Sequence, residues 1–300
     1  MSRIVAVHGV GNHVRGGRPD AVAEAVAADW SAGLAAGLGL ASLGKADLTC
    51  AYYAHHLYRG KPVAQGTDDQ ALDRLATTDP DAAALAEMWL DAHELPEVVA
   101  QGRLTVPLRH AVDMLARRFS LDGRLTRLFM ALVFREVATY LKAPDAPARQ
   151  AARDEVGGVL DRERPTVVLA HSLGSVVAYE ALHARRDVEI DLLVTMGSPL
   201  ALRHGVFERL TPAPVNGLSE RPPNVRRWVN VADPGDPVAI LRPLSRWFPG
   251  VDLDLTDSIN LFDFHLAANY LRSAAVAAAV APYLGVADVP PSPSTRAPTE

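Results

Sequence analysis

Short apolar runs alternate along the chain with stretches of helical spacing. Residues 3–7 (RIVAV), 47–54, 166–170 (TVVLA), 191–196 (DLLVTM) and 226–231 (RRWVNV) are β-branched or nearly continuously apolar, which predicts strands buried on both faces. Residues 20–38, the stretch from Pro147 to about 162, 173–185 and 266–283 keep helical periodicity. From about residue 56 to 147 the pattern changes: helical spacing dominates over 81–93, 107–119 and 124–141, and no β-branched run interrupts it. The expected architecture is α/β, a mostly parallel sheet with helices on both faces, formed by 1–55 and 148–285 and carrying a helical cap at 56–147. The last 15 residues, 286–300, end in a proline-rich polar run that predicts a disordered tail.

Composition narrows the possibilities by exclusion. Hydrophobic residues at 49% and charged residues at 22% over 300 positions describe an ordinary globular chain. A net charge of −5 speaks against nucleic-acid binding. Lys45, Lys61 and Lys142 are the only lysines, a bias that goes with the abundance of alanine and arginine. The single cysteine, Cys50, rules out an internal disulfide and suits a reducing, cytoplasmic setting. No apolar run approaches the roughly 20 residues of a membrane span, so contact with lipid would be transient and at the surface.

One junction carries candidate chemistry. The strand at 166–170 runs straight into His171-Ser172-Leu173-Gly174, where the next helix begins. In a nucleophile elbow, a tight strand-to-helix turn lifts a serine hydroxyl above the sheet edge, and small residues two before and two after it let strand and helix approach. Ala170 and Gly174 hold those positions, with alanine in place of the usual first glycine. A serine nucleophile needs a base, and the base needs an orienting acid. The turn after the strand at 226–231 offers Asp233 and Asp236, and His265 follows just before the last helix. The oxyanion of an acyl-transfer intermediate needs two backbone N–H donors. Leu173, at the helix start, and Val10, in the His8-Gly9-Val10-Gly11 turn, are the candidates.

Taken together, VHGVG, AHSLG, TMGSPL, VNVADPGDPV and the late histidine resemble the serine esterase and lipase branch of the α/β-hydrolase superfamily. The resemblance covers the chain except the helical insertion and the tail, and implies a sheet that begins at the family's third strand. It implies a triad of Ser172, His265 and Asp236, because Asp236-Pro237-Val238 matches the Asp-X-Val turn of related lipases; Asp233 is the alternative acid. It also implies hydrolysis of a small-molecule or lipid ester through an acyl-enzyme, with no cofactor and no metal. The same triad would equally serve an acyltransferase, a cyclase or a thioesterase, and a non-catalytic partner-binding scaffold is the reading from another class.

Other residues have plainer roles beside these. His8 and Gly9 shape the oxyanion turn, and His171 packs against the sheet or borders the pocket. Trp247 and Phe248 either line the pocket or belong to the core. His55 and His56 invite a metal, but no carboxylate or cysteine spacing near them supports one. Gly9 and Gly11 do not continue into a dinucleotide loop, because Val14 stands where its third glycine belongs. Ser198 is a turn residue held by Pro199, and Ser175 is a small packing residue.

Overall fold

The computed structural model describes residues 3–40, 48–59, 71–92, 105–118, 123–239, 243–259 and 266–284. The tail at 286–300 lies outside them. Six strands, β1 (Ile4–Val7), β2 (Leu48–Ala51), β3 (Val167–His171), β4 (Ile190–Met196), β5 (Val225–Ala232) and β6 (Leu253–Thr256), form one parallel sheet in the order β2-β1-β3-β4-β5-β6.

Because successive side chains of a strand point to opposite faces, each central strand feeds two cores. Ile4, Ala6, Val167, Leu169, Val194 and Val229 face α1 (Pro19–Gly37), α9 (Ala267–Arg272) and α10 (Ala274–Leu284), meeting Trp30, Leu34, Tyr270 and Val280. Val5, Val7, Val168, Ala170, Leu193 and Trp228 face the other way, toward α7 (Pro147–Glu163) and α8 (Leu173–Ala184). The near-continuous apolar strands are thus explained by burial on both sides.

The segment between β2 and α7 contains α2 (Ala54–Leu57), α3 (Ala71–Thr78), α4 (Pro80–Ala92), α5 (Thr105–Arg118) and α6 (Gly123–Tyr140). Leu85 and Trp89 of α4, Leu108 of α5 and Phe134 of α6 are buried in the same apolar cluster as Val5 and Val168. These helices therefore extend the core of one sheet face. A buried polar knot ties α6, α7 and α8 together. Arg149 pairs with Glu180, and Glu180 also accepts the Tyr140 hydroxyl at 2.7 Å and the Thr211 N–H at 2.9 Å.

The structure departs from the sequence reading in three places, the first being the strand expected over 47–54, which ends at Ala51, with Ala54 already opening α2. β6 has no counterpart among the expected strands; it is an edge strand, LDLT, with no fully buried position, so it lacks the apolar run that marks the others. The helix expected over 266–283 is broken at Ser273, whose backbone is extended and whose hydroxyl accepts the N–H of Val276 at 3.3 Å. Serine in that position ends one helix and caps the next.

Candidate active site

A single residue, Ser172, makes the turn between β3 and α8. It takes φ 54° and ψ −132°, a combination that a residue with a Cβ rarely adopts. Its N–H donates to the Met196 carbonyl at 2.9 Å, which anchors the turn to β4. The neighbours must be small for this to fit. A Cβ on Gly174 would land on the carbonyl oxygens of Val7 and His8, so only glycine lets α8 approach the end of β1. A Cβ on Gly9 would sit 2.7 Å from the Cβ of Ser172. Ser172 is 1% exposed and lies where the ends of β1 and β3 meet. The chain builds outward in opposite directions from these two strands, β2 beyond β1 and β4 beyond β3. In open parallel sheets the crevice outside the carboxyl ends at such a switch point is where ligands bind.

The turn after β1 is held from several sides. Nε2 of His8 accepts the Tyr53 N–H at 3.2 Å, which places the proton on Nδ1, and Nδ1 donates to the Gly9 carbonyl at 2.8 Å. Tyr53 stacks on the His8 ring with centroids 4.3 Å apart and donates its hydroxyl to the His8 carbonyl at 2.7 Å. Burial pushes the His8 imidazole down to about 4, so it is neutral at pH 7. Asn12 Nδ2 supplies a second donor to the Gly9 carbonyl, at 3.0 Å. With that carbonyl pinned, the trans Gly9–Val10 peptide holds the Val10 N–H on its opposite side. Among the described residues neither the Val10 N–H nor the Leu173 N–H finds an acceptor. Two unpaired donors, one at a helix N-terminus, suit a developing negative charge.

Asp233 and Asp236 both follow β5 and both are buried. Asp233 Oδ1 accepts the Gly235 N–H at 2.7 Å and its Oδ2 accepts the Ile259 N–H at 3.0 Å. Asp236 Oδ1 accepts the Val238 N–H at 2.8 Å, and its Oδ2 accepts the Tyr270 hydroxyl at 2.7 Å. Two short-range amides thus shape the turn, while Tyr270 of α9 reaches across to Asp236. The ring of Tyr270 also lies 5.6 Å from that of His171, centroid to centroid. His265 lies outside the described residues.

A cavity of about 250 Å³ opens beside this junction. Gly9, Val10, Asn12 and His171 form one side, and Val26, Asp29 and Trp30 of α1, Phe129 of α6 and Leu266–Ala268 form the rest. Trp247 and Phe248 do not line it. Phe248 is fully buried against Tyr179, Phe207 and Trp228, and Trp247 lies under the Arg246 guanidinium. The two other serines that the sequence singled out are structural: Ser175 donates to the Ser172 carbonyl at 2.6 Å and shares a 2.7 Å hydrogen bond with Ser198.

Several contributors had no sequence signal. Tyr53 and Tyr270 look like core aromatics along the chain, and only their partners single them out. Glu136 of α6 reaches the same turn, accepting the Gly11 N–H at 3.2 Å, and burial lifts its carboxyl to about 7. Trp89 of α4 donates from Nε1 to the Pro237 carbonyl at 2.8 Å, beside Asp236. Among the described residues the compact grouping of potential metal ligands, His55, His56 and Glu155, shares no residue with the cavity. Compared with known proteins, the chain matches no family model, no curated protein and no solved structure. No helix among the described residues is long and apolar enough to cross a membrane.

Proposed function

We propose that the chain is a serine hydrolase of the α/β-hydrolase type that cleaves a carboxylic ester through an acyl-enzyme on Ser172. The observation that carries this reading is the strained Ser172 turn, beside which the Val10 and Leu173 N–H groups find no acceptor among the described residues. Strain of this kind persists only where the surroundings enforce it, and it gathers at functional sites. In the mechanism, His265 takes the Ser172 proton as the hydroxyl attacks the ester carbonyl, and the Val10 and Leu173 amides receive the oxyanion. His265 then protonates the leaving alcohol, and afterwards activates the water that releases the acid. Asp236 orients His265, with Tyr270 and the Val238 amide fixing the carboxylate. His8, with both ring nitrogens engaged by backbone groups, positions the Gly9–Val10 peptide.

The cavity suits a substrate with a modest apolar group, because Val26, Trp30, Phe129 and Leu266 line it, with Asn12 and Asp29 as polar members of the wall. The test is labelling of the purified chain by a fluorophosphonate, read by intact mass. One adduct per chain, lost in Ser172→Ala, is the expected result. Labelling that persists in Ser172→Ala, or none in wild type with or without detergent, would overturn the assignment.

A further inference from the structure

β2 ends at Ala51, and within a few residues the chain turns through α2, a helix of 4 residues that contains His55 and His56. Neighbouring positions on a helix point in different directions and do not normally face each other. Here the two imidazole rings nevertheless lie with centroids 3.9 Å apart, tilted by 41°. Glu155, from α7, completes the group: its Oε2 is 3.6 Å from Nε2 of His56. One donor atom from each of the three residues falls within 4.8 Å of the other two. Among the described residues, Nδ1 of His55 is buried with no hydrogen-bond partner, and a buried polar atom left unpaired is costly unless something supplies the missing interaction.

We infer that His55, His56 and Glu155 form a binding site for a divalent transition-metal ion of the zinc type. Two imidazole nitrogens and one carboxylate oxygen are a donor set that favours zinc-like ions over magnesium or calcium, which prefer oxygen alone. Three protein ligands leave positions for water, and His56 and Glu155 border an open depression of about 410 Å³ through which an ion would enter. The donors come from two elements far apart in sequence, α2 and α7, so an ion would clamp one to the other. The reach of that clamp includes the proposed active site, since Tyr53, next to α2, supports His8. The sequence showed the histidine pair but not the carboxylate, which arrives from almost exactly 100 residues away along the chain.

The experiment uses the full chain, stripped with a chelator and titrated with Zn²⁺ by calorimetry and with Co²⁺ by visible absorption. One ion per chain is expected, with a cobalt spectrum of low coordination number and a rise in Tm on adding Zn²⁺. His56→Ala and Glu155→Gln should each weaken binding by roughly a factor of ten or more and abolish the rise in Tm. The Glu155 side chain is 41% exposed, so its variant tests binding with little threat to the fold. His183→Ala, which changes a histidine elsewhere, should bind as wild type does. The inference fails if no binding is seen at millimolar metal, or if binding is unchanged in both His56→Ala and Glu155→Gln.

Discussion

At Ser172 the requirements of folding and of the proposed chemistry diverge. A residue at φ 54° and ψ −132° costs of the order of 1–3 kcal/mol unless it is glycine. Serine at this position therefore stands against a stability gradient, as expected where activity and stability trade off. Ser172→Gly should unfold at higher urea than Ser172→Ala, by about 1 kcal/mol after the greater chain entropy of unfolded glycine is counted. Both variants should be inert to the fluorophosphonate. Equal stabilities would mean that the turn relaxes once the serine is gone. The serine and its small neighbours were legible in the sequence, because a strand ending in a Ser-X-Gly turn is a local pattern. The support of the oxyanion turn was not, because Tyr53, Asn12 and Glu136 act through contacts that no spacing encodes.

Besides placing Phe129 in the cavity wall, the helices between β2 and α7 make two hydrogen bonds to the proposed site among the described residues, Glu136 with the Gly11 N–H and Trp89 with the Pro237 carbonyl. With one anchor from α6 and one from α4, this helical block would brace both the proposed oxyanion turn and the proposed acid turn. Trp89→Phe keeps an aromatic ring against Phe134 and removes the hydrogen bond to Pro237. The expected effect is a loss of about 1–2 kcal/mol in urea unfolding, together with slower fluorophosphonate labelling. An unchanged labelling rate at reduced stability would show that the acid turn holds its shape without α4. Element types are legible in the sequence where burial imposes a run or a period, as in β1, β3, β4, α7 and α8. The failures, β6 and the break at Ser273, lie where an edge strand has no buried position and where one serine interrupts an otherwise continuous alanine-rich pattern.

Two buried titratable groups set opposing pH slopes for the molecule. Burial lifts Glu136 from 4.5 to about 7, with the Gly11 amide and the Arg135 charge opposing the shift, so folding retains a proton that the unfolded chain releases. Its contribution is favourable at low pH and declines as pH rises from about 4.5 to 7, by about 3 kcal/mol in total. Burial lowers His8 from 6.5 to about 4, with the nearby His55 reinforcing it, so the unfolded chain takes up a proton that the folded state refuses. That contribution grows as pH rises from about 4 to 6.5, by a similar amount. Across the shared window the two slopes cancel, and wild-type stability from these groups should be nearly flat. Glu136→Gln removes one slope while its amide oxygen can still accept the Gly11 N–H. The variant should therefore gain stability over wild type above pH 7 and lose it on acidification below pH 6.5, at up to about 1.4 kcal/mol per pH unit. Urea unfolding of both proteins between pH 4 and 8 reads this directly. Parallel profiles would mean that Glu136 titrates as an ordinary surface carboxylate and that α6 does not bury it against the turn.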